Sequence, residues 1–221
     1  MPRPPRIQYP GALYHVTARG VQQSAIYLDD NDRSCFLELV GRTLIAGQAR
    51  ALTFCMMGNH YHLVLQTGAA NLSALIQRIN GAYSLGFNRR QGRCGHVFEG
   101  RFHAVHVDRD AYLLEVCRYV DLNPVRAGLC DSPVHWRWSG YRSHVGFVAS
   151  PPWLATAQLH GALTGAEPND AVEMGAARRR YADWVAAGRG VRLWERSLLE
   201  GRFLGDRAFV RRTEGRADGR G

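Results

Sequence analysis

The sequence contains no lysine: all 28 of its Lys and Arg positions are arginine, against 19 acidic residues, which gives a formal net charge of +9. Arginine forks fit phosphate oxygens well. Exclusive use of arginine can also reflect coding bias, however, so the net charge is more informative about partners than the choice of arginine. An excess of positive charge of this size is typical of proteins with polyanionic partners. Nucleic acid is therefore the leading candidate partner.

The sequence also lacks paired cysteines and long apolar runs. Its five cysteines are scattered singly, with no Cys-x-x-Cys pair, a pattern typical of free thiols in a reducing compartment. No segment has the length needed to span a bilayer, and the N-terminal residues lack the apolar stretch of a signal peptide. We therefore expect a soluble cytoplasmic protein, associated with the nucleoid and without a membrane partner.

The first candidate site is a pair of histidines in the apolar run GNHYHLVLQ at residues 58–66. Side chains alternate between the two faces of a β-strand, so His60 and His62 share one face, with Cβ atoms about 6 to 7 Å apart. Two imidazoles at that spacing can bind one divalent cation. A His-x-His pair also occurs by chance in half-buried strands. The turn residues Gly58 and Asn59 before it, and matching groups later in the chain, favour a metal site.

The order of apolar patterns predicts strand, helix, hairpin, helix, strand, helix. This order is typical of a ferredoxin-like α+β fold, an antiparallel sheet with its helices on one face, with one further helix appended. Pro124 is expected to end that last helix. The predicted strands cover residues 12–18, 52–57, 60–66 and 98–107, and the predicted helices run from a cap at Asn31 or Asp32 to Ile45, from Asn71 to Phe87 and from Asp108 to Asn123.

Composition shifts toward alanine, glycine and arginine near residue 149. We therefore expect a main domain at residues 1–148 and a small, basic, helical C-terminal extension at residues 149–221, with a disordered tail from residue 216. The short helices of the extension leave open a helix-turn-helix that binds DNA. Residues 134–141 (VHWRWSGY) are expected to cover an apolar edge rather than to stack on bases.

The helix predicted after Asp108 carries a polar stripe beside its apolar one. Tyr119 and Asn123 are four residues apart, so they lie about 6 Å apart along the axis and present a phenol and an amide together. Taken alone, they could equally be a partly buried tyrosine and a C-terminal cap before proline. Glu115, one turn before Tyr119, adds a carboxylate of the kind that hard cations accept.

Three blocks of the sequence resemble the IS200-like transposases and, more specifically, the REP-associated tyrosine transposases, which are single-tyrosine HUH nucleases. The blocks are YHVTARG at residues 14–20, MGNHYHL at 57–63 and YVDLNPVRAGL at 119–129. The resemblance implies an HUH nuclease fold in residues 1–148. It also implies a metal-dependent transposase that cuts and rejoins single-stranded DNA beside hairpins of repetitive palindromic elements, with Tyr119 as the nucleophile that forms a 5′-phosphotyrosine.

The resemblance further implies Mg2+ or Mn2+ bound by His60, His62 and a third polar ligand on the tyrosine helix. Mobile-element transposases have glutamine four residues after the tyrosine, where this chain has the shorter Asn123. Glu115 is therefore a reserve ligand. The candidate contacts to DNA phosphates are Arg19, Arg89, Arg90, Arg93, Arg101, Arg118 and Arg126.

Other functions stay open at this point. The chain could be a hairpin-DNA-binding module whose cleavage activity is lost or vestigial, which a test for a metal-dependent covalent adduct at Tyr119 would distinguish. An RNA-binding protein is a weaker option, because no aromatic pair has the pattern expected on an RNA-binding sheet. The sequence is compatible with a monomer or a homodimer, and with a site formed within one chain or across two.

Overall fold

The computed structural model describes residues 6–190 and 201–217. The elements in chain order are β1 Leu13–Arg19, α1 Asp30–Ala46, β2 Arg50–Met56, β3 His60–Gln66, α2 Leu72–Gln91, β4 His103–Val107, α3 Arg109–Arg126, α4 Tyr141–His144, α5 Thr156–Thr164, α6 Ala171–Ala187, β5 Phe203–Leu204 and α7 Arg207–Ala217. The strands form one sheet in the order β2-β3-β1-β4-β5.

The first four strands form the antiparallel sheet predicted from the sequence, with β1 between β3 and β4 and with β2 on the other side of β3. On one face, α1 and α2 share a core with residues such as Tyr61 and Leu63 of β3. On the opposite face, α3 packs against Val64 and Val105. The predicted α+β fold is therefore confirmed, with α1 and α2 on one face. The appended helix α3 covers the other.

The first helix begins earlier than the sequence predicted. The side chain of Asp29 caps α1 by accepting a hydrogen bond from the backbone N–H of Asp32 at 2.7 Å, so the prediction of a cap at Asn31 or Asp32 is wrong. The carboxylate of Asp32 is instead fully buried and receives the guanidinium of Arg90 at 2.8 Å. This ion pair joins the start of α1 to the end of α2.

The region after Phe87, where the sequence predicts the end of the second helix and a basic loop with Arg89, Arg90 and Arg93, also differs. Helix α2 continues past Phe87 to Gln91 and ends where Gly92 adopts the left-handed conformation at φ 59°, so Arg89 and Arg90 lie on its last turn rather than in a loop. Strand β4 begins at His103 rather than at residue 98. Before it, Gly100 turns the chain at φ 65°.

Helix α3 passes through Pro124 to Arg126, so the prediction that this proline ends the helix is wrong. Proline removes one backbone N–H and crowds the carbonyl one turn before it, yet the turns on either side stay bonded. The helix ends at Arg126, and Gly128 just after it adopts a left-handed φ of 68°. The N–H of Leu129 returns to the carbonyl of Pro124 at 2.9 Å, a Schellman arrangement. Asn123 is therefore not the C-terminal cap.

A buried polar contact connects the later part of the chain to α3. Asp121, two residues after Tyr119, is fully buried. Its carboxylate accepts hydrogen bonds from the hydroxyl of Tyr181 on α6 at 2.7 Å and from the hydroxyl of Thr53 on β2 at 2.5 Å. Helix α3 is thus fastened both to the sheet and to α6.

The chain after β4 also covers both edges of the sheet. Residues 134–141 lie along the edge of β2, as predicted: the indole of Trp136 donates to the carbonyl of Met56 at 3.1 Å, and the carbonyl of Trp138 accepts from the N–H of Met56 at 2.9 Å. At the other edge, β5 pairs in parallel with β4. This strand is only two residues long, too short for the sequence to predict.

Two further features bear on the predicted domain division. Of the tail predicted to be disordered, residues 216 and 217 belong to α7, and residues 218–221 lie outside the described residues. The division at residue 148 stays a prediction.

The five cysteines are free, as expected, and no helix in the described ranges is long and apolar enough to cross a membrane.

Candidate active site

Strand β3 presents two imidazoles to the sheet face that α3 covers. The ring centroids of His60 and His62 are 5.0 Å apart, and the ring planes lie at 78° to each other. His62 is buried, whereas His60 is half-buried at the end of the strand. The alternation of side chains along the strand brings the two rings to the same face.

Helix α3 carries Tyr119 onto the same pair. The Tyr119 ring centroid lies 5.9 Å from that of His62, with the rings edge to face at 85°. Tyr119 is buried. The phenol and the imidazole that form this contact belong to the same chain.

The last turns of α3 add two side chains around the tyrosine. The guanidinium carbon of Arg126 lies 5.1 Å from the centroid of the Tyr119 ring, a position that Arg126 reaches because the helix continues through Pro124. The amide nitrogen of Asn123 donates to the carbonyl of Tyr119 at 3.0 Å. That bond leaves the amide oxygen of Asn123 as the atom suited to a cation.

A third histidine, absent from the predicted site, lies beside His62. His15 on β1 is fully buried, and its Nε2 atom is 2.9 Å from Nδ1 of His62, with the two rings parallel to within 3°. The register pairs His62 with Thr17, so His15 is the diagonal neighbour of His62 on the same face. The strand was predicted from the sequence. The register that brings the two histidines together was not.

Burial keeps these three rings uncharged. Desolvation lowers the pKa of His15 to about 3, with a smaller contribution from His103. Desolvation also lowers the pKa of His60 to about 4, assisted by Arg19, and holds the pKa of His62 well below its usual value. A neutral imidazole keeps one lone pair, which is the form that binds a metal ion.

The donor atoms fit a divalent cation at His60 and His62. The Nε2 atom of His62 is buried without a hydrogen-bond partner in the described part of the chain, which is costly unless a ligand satisfies it. Nδ1 of His60 contacts the side-chain oxygen of Asn59 at 2.6 Å. Nε2 of His60 is therefore the ring nitrogen that can bind a cation. Within residues 6–190 and 201–217, no three His, Cys, Asp or Glu side chains are grouped to hold a metal. Among the described residues, the amide oxygen of Asn123 is a candidate third ligand of another type.

Glu115, the reserve metal ligand, and Arg118, a predicted DNA contact, bind each other. Glu115 forms an ion pair with Arg118, and the guanidinium carbon of Arg118 lies 4.2 Å from the ring centroid of Trp184 on α6. Arg90 is bound to Asp32. Outside α3, the other predicted contacts to DNA phosphates are exposed: Arg19, Arg89, Arg93 and Arg101.

Comparison with known proteins gives a family match and a similar fold. Residues 9–123 match the sequence model of the family described as "Transposase IS200 like". No curated protein matches the chain.

Two solved structures are similar in fold. The structure of a REP-associated tyrosine transposase bound to a REP hairpin has a TM-score of 0.56 at 16% identity and covers 70% of this chain and 92% of that one. A protein described as a transposase from Deinococcus radiodurans R1 has a TM-score of 0.38 at 12% identity and covers 58% of this chain and 92% of that one. The first similarity shows that the two proteins share a fold.

Proposed function

Because the chain belongs to the family of IS200-like transposases, we propose that it cuts and rejoins single-stranded DNA through a covalent 5′-phosphotyrosine on Tyr119. The observation that carries this proposal is the Tyr119 ring 5.9 Å from His62, which is itself 5.0 Å from His60. A nucleophile and two potential metal ligands are thus within reach of one phosphate. The proposed substrates are DNA hairpins of REP elements, because a transposase that shares this fold binds a REP hairpin.

The proposed reaction exchanges one phosphodiester for another. The phenol oxygen of Tyr119 attacks the scissile phosphorus, the phenolic proton leaves, and the bond from phosphorus to the 3′ oxygen breaks. The departing 3′ oxygen takes up a proton and becomes a hydroxyl. A second 3′ hydroxyl can then attack the phosphotyrosine, rejoin the strands and restore the phenol. No nucleotide cofactor is consumed, because the energy of the ester bond is retained.

A phenol has a reference pKa of about 10 and is a weak nucleophile near neutral pH, so the phosphate must be polarised. His60 and His62 would hold Mg2+ or Mn2+, with Asn123 as the third ligand, since the reserve candidate Glu115 is paired with Arg118. The bound ion would withdraw charge from the phosphate and orient it for in-line attack. Arg126, 5.1 Å from the Tyr119 ring, is within reach of the same phosphate group.

The surface supports binding of a DNA strand. Arg19 lies at the end of β1 and pairs in register with His60, so its charge is at the mouth of the site. A cleft of about 750 Å3 opens between α2 and residues 95–102, and its walls include Arg6, Arg101 and the amide side chain of Asn88. Arginines and amides are the side chains that most often contact phosphates and base edges.

One observation favours the alternative, a hairpin-binding module without cleavage. Within the part of the chain that the structure describes, no third His, Cys, Asp or Glu side chain is placed to bind a metal together with the histidine pair, and Asn123 is shorter than the glutamine of mobile-element relatives. The two functions differ in whether a covalent adduct forms.

The test is incubation of the protein with labelled single-stranded hairpin DNA that carries flanking repeat sequence, with Mn2+ or with a chelator, on a denaturing gel. We expect a slow protein–DNA band that needs Mn2+ and disappears in Tyr119→Phe and in His62→Ala. Tyr112→Phe is the matched control, because it removes a phenol from the same helix outside the site, and the band should persist. Tight hairpin binding without any adduct would instead favour the binding module.

A further inference from the structure

We propose that His15 positions His62 for the metal ion, by holding Nδ1 of His62 so that Nε2 of that ring faces the cation. The inference rests on the proposed function, since it takes His62 as a metal ligand. His15 is a positioning residue in this arrangement: it touches the ligand and contacts neither the metal nor DNA.

The geometry of the two rings defines the contact. The distance of 2.9 Å between Nε2 of His15 and Nδ1 of His62 is that of a hydrogen bond, and both side chains are almost entirely removed from solvent. Two lone pairs at this distance would repel each other, so one N–H must lie between the nitrogens. With one side of the His62 ring held in this way, its Nε2 atom has a fixed direction.

The metal site selects between the two tautomers that this contact allows. If His15 donated, the remaining hydrogen of neutral His62 would sit on its Nε2 atom and block metal binding. If His62 donates through Nδ1–H, Nε2 of His62 keeps its lone pair and His15 is the acceptor. Histidines that bind metals usually donate their second N–H to such a partner, which fixes both tautomer and ring orientation.

Packing alone does not account for a histidine at position 15. Its neighbours across the two adjoining strands are Val64 and Val105, both fully buried, so an apolar side chain would suit this position. The histidine also leaves its Nδ1 atom buried without a hydrogen-bond partner among the described residues. A buried nitrogen without a partner costs free energy, and such a group is expected where it serves a functional site.

The test uses full-length, metal-free protein and Mn2+ alone as the probe, with binding measured by isothermal titration calorimetry. We expect His15→Phe to raise the Kd for Mn2+ by about 10- to 100-fold. His15→Gln should recover part of the affinity, because its amide oxygen can accept from Nδ1–H of His62. The control is His106→Phe, which replaces another buried histidine of the sheet whose Nε2 atom contacts the carbonyl of Ile7 at 2.7 Å. That variant should bind Mn2+ like the wild type.

A second measurement needs no variant. Long-range 1H–15N correlation spectra of the metal-free wild type should show the hydrogen of His62 on Nδ1. A hydrogen on Nε2 would overturn the inference, as would a folded His15→Phe protein with unchanged affinity for Mn2+. If the wild type binds no Mn2+ and forms no adduct with hairpin DNA, the proposed metal site itself fails, an outcome distinct from loss of the His15 effect alone.

Discussion

The hydrogen bond that joins α3 to α6 can be tested by removing the hydroxyl oxygen of Tyr181. In Tyr181→Phe, the carboxylate of Asp121 loses the hydrogen bond of 2.7 Å from the Tyr181 hydroxyl and keeps the one from Thr53. Both residues at the contact are fully buried, so water cannot replace the lost donor. A hydrogen bond to a charged group contributes about 1.5 to 3 kcal/mol, and one between neutral groups about 0.5 to 1.5 kcal/mol.

The charge on Asp121 makes this loss depend on pH. Burial raises the pKa of Asp121 to about 7, although the hydroxyls of Thr53 and Tyr181 oppose that rise. Since the folded-state pKa lies above the ordinary value of 3.8, this carboxyl favours folding at acid pH, and its contribution is lost as pH rises through 7. We expect Tyr181→Phe to lower the free energy of unfolding by about 2 kcal/mol at pH 8.5 and by about 1 kcal/mol at pH 5.5.

The assay is urea unfolding at both pH values with linear extrapolation to water. Tyr141→Phe is the matched control, because Tyr141 is a neighbouring buried tyrosine whose hydroxyl is not a hydrogen-bond donor to Asp121. It should change the free energy of unfolding by less than Tyr181→Phe does at pH 8.5. A loss below about 0.5 kcal/mol in Tyr181→Phe at pH 8.5, or an equal loss at the two pH values, would refute this account of the buried carboxylate.

Three further outcomes are expected. Asp29→Ala removes the cap of α1 and should lower the free energy of unfolding by about 1 kcal/mol in urea; no change would mean that the cap is not formed in solution. Arg19→Gln should weaken hairpin binding and reduce its salt slope by about 1 in gel-shift titrations, whereas an unchanged slope would remove Arg19 from the DNA contacts. Burial lowers the pKa of His144 to about 3 and of His160 to about 4, so their contribution to stability is complete above pH 6.5 and falls below it by about 1.4 kcal/mol per pH unit for each ring. Urea unfolding between pH 7 and 4.5 should show a shallower loss in His144→Phe, and an identical slope would contradict the neutral buried state.

Local patterns were sufficient to predict the elements that carry the candidate site. The alternation in β3 predicts that His60 and His62 share a face, and the spacing in α3 predicts that Tyr119 and Asn123 lie on one side of a helix. Both are properties of short segments, because the repeat of a strand or a helix is fixed by backbone geometry. The α+β order follows from the sequence of such segments.

Contacts between distant segments could not be predicted in the same way. The approach of His15 to His62 depends on the register between β1 and β3, and the burial of Asp32 depends on Arg90 from another helix. Pro124 illustrates the limit of a local rule, since α3 continues past it to a Schellman ending at Gly128. At Pro124, the packed helix outweighs a preference that is real for the isolated segment.

The buried hydrogen bonds of Asp121 also constrain how DNA strands could be exchanged. Tyr119 is only two residues from an anchor that joins α3 to β2 and α6. A movement of α3 away from the histidines would expose the buried carboxylate of Asp121. Helix α6, which is bonded to that carboxylate, would have to move with α3. In the reaction proposed above, an exchange of DNA strands within one molecule would therefore proceed with the phosphotyrosine stationary, and the incoming 3′ end would be the part that travels.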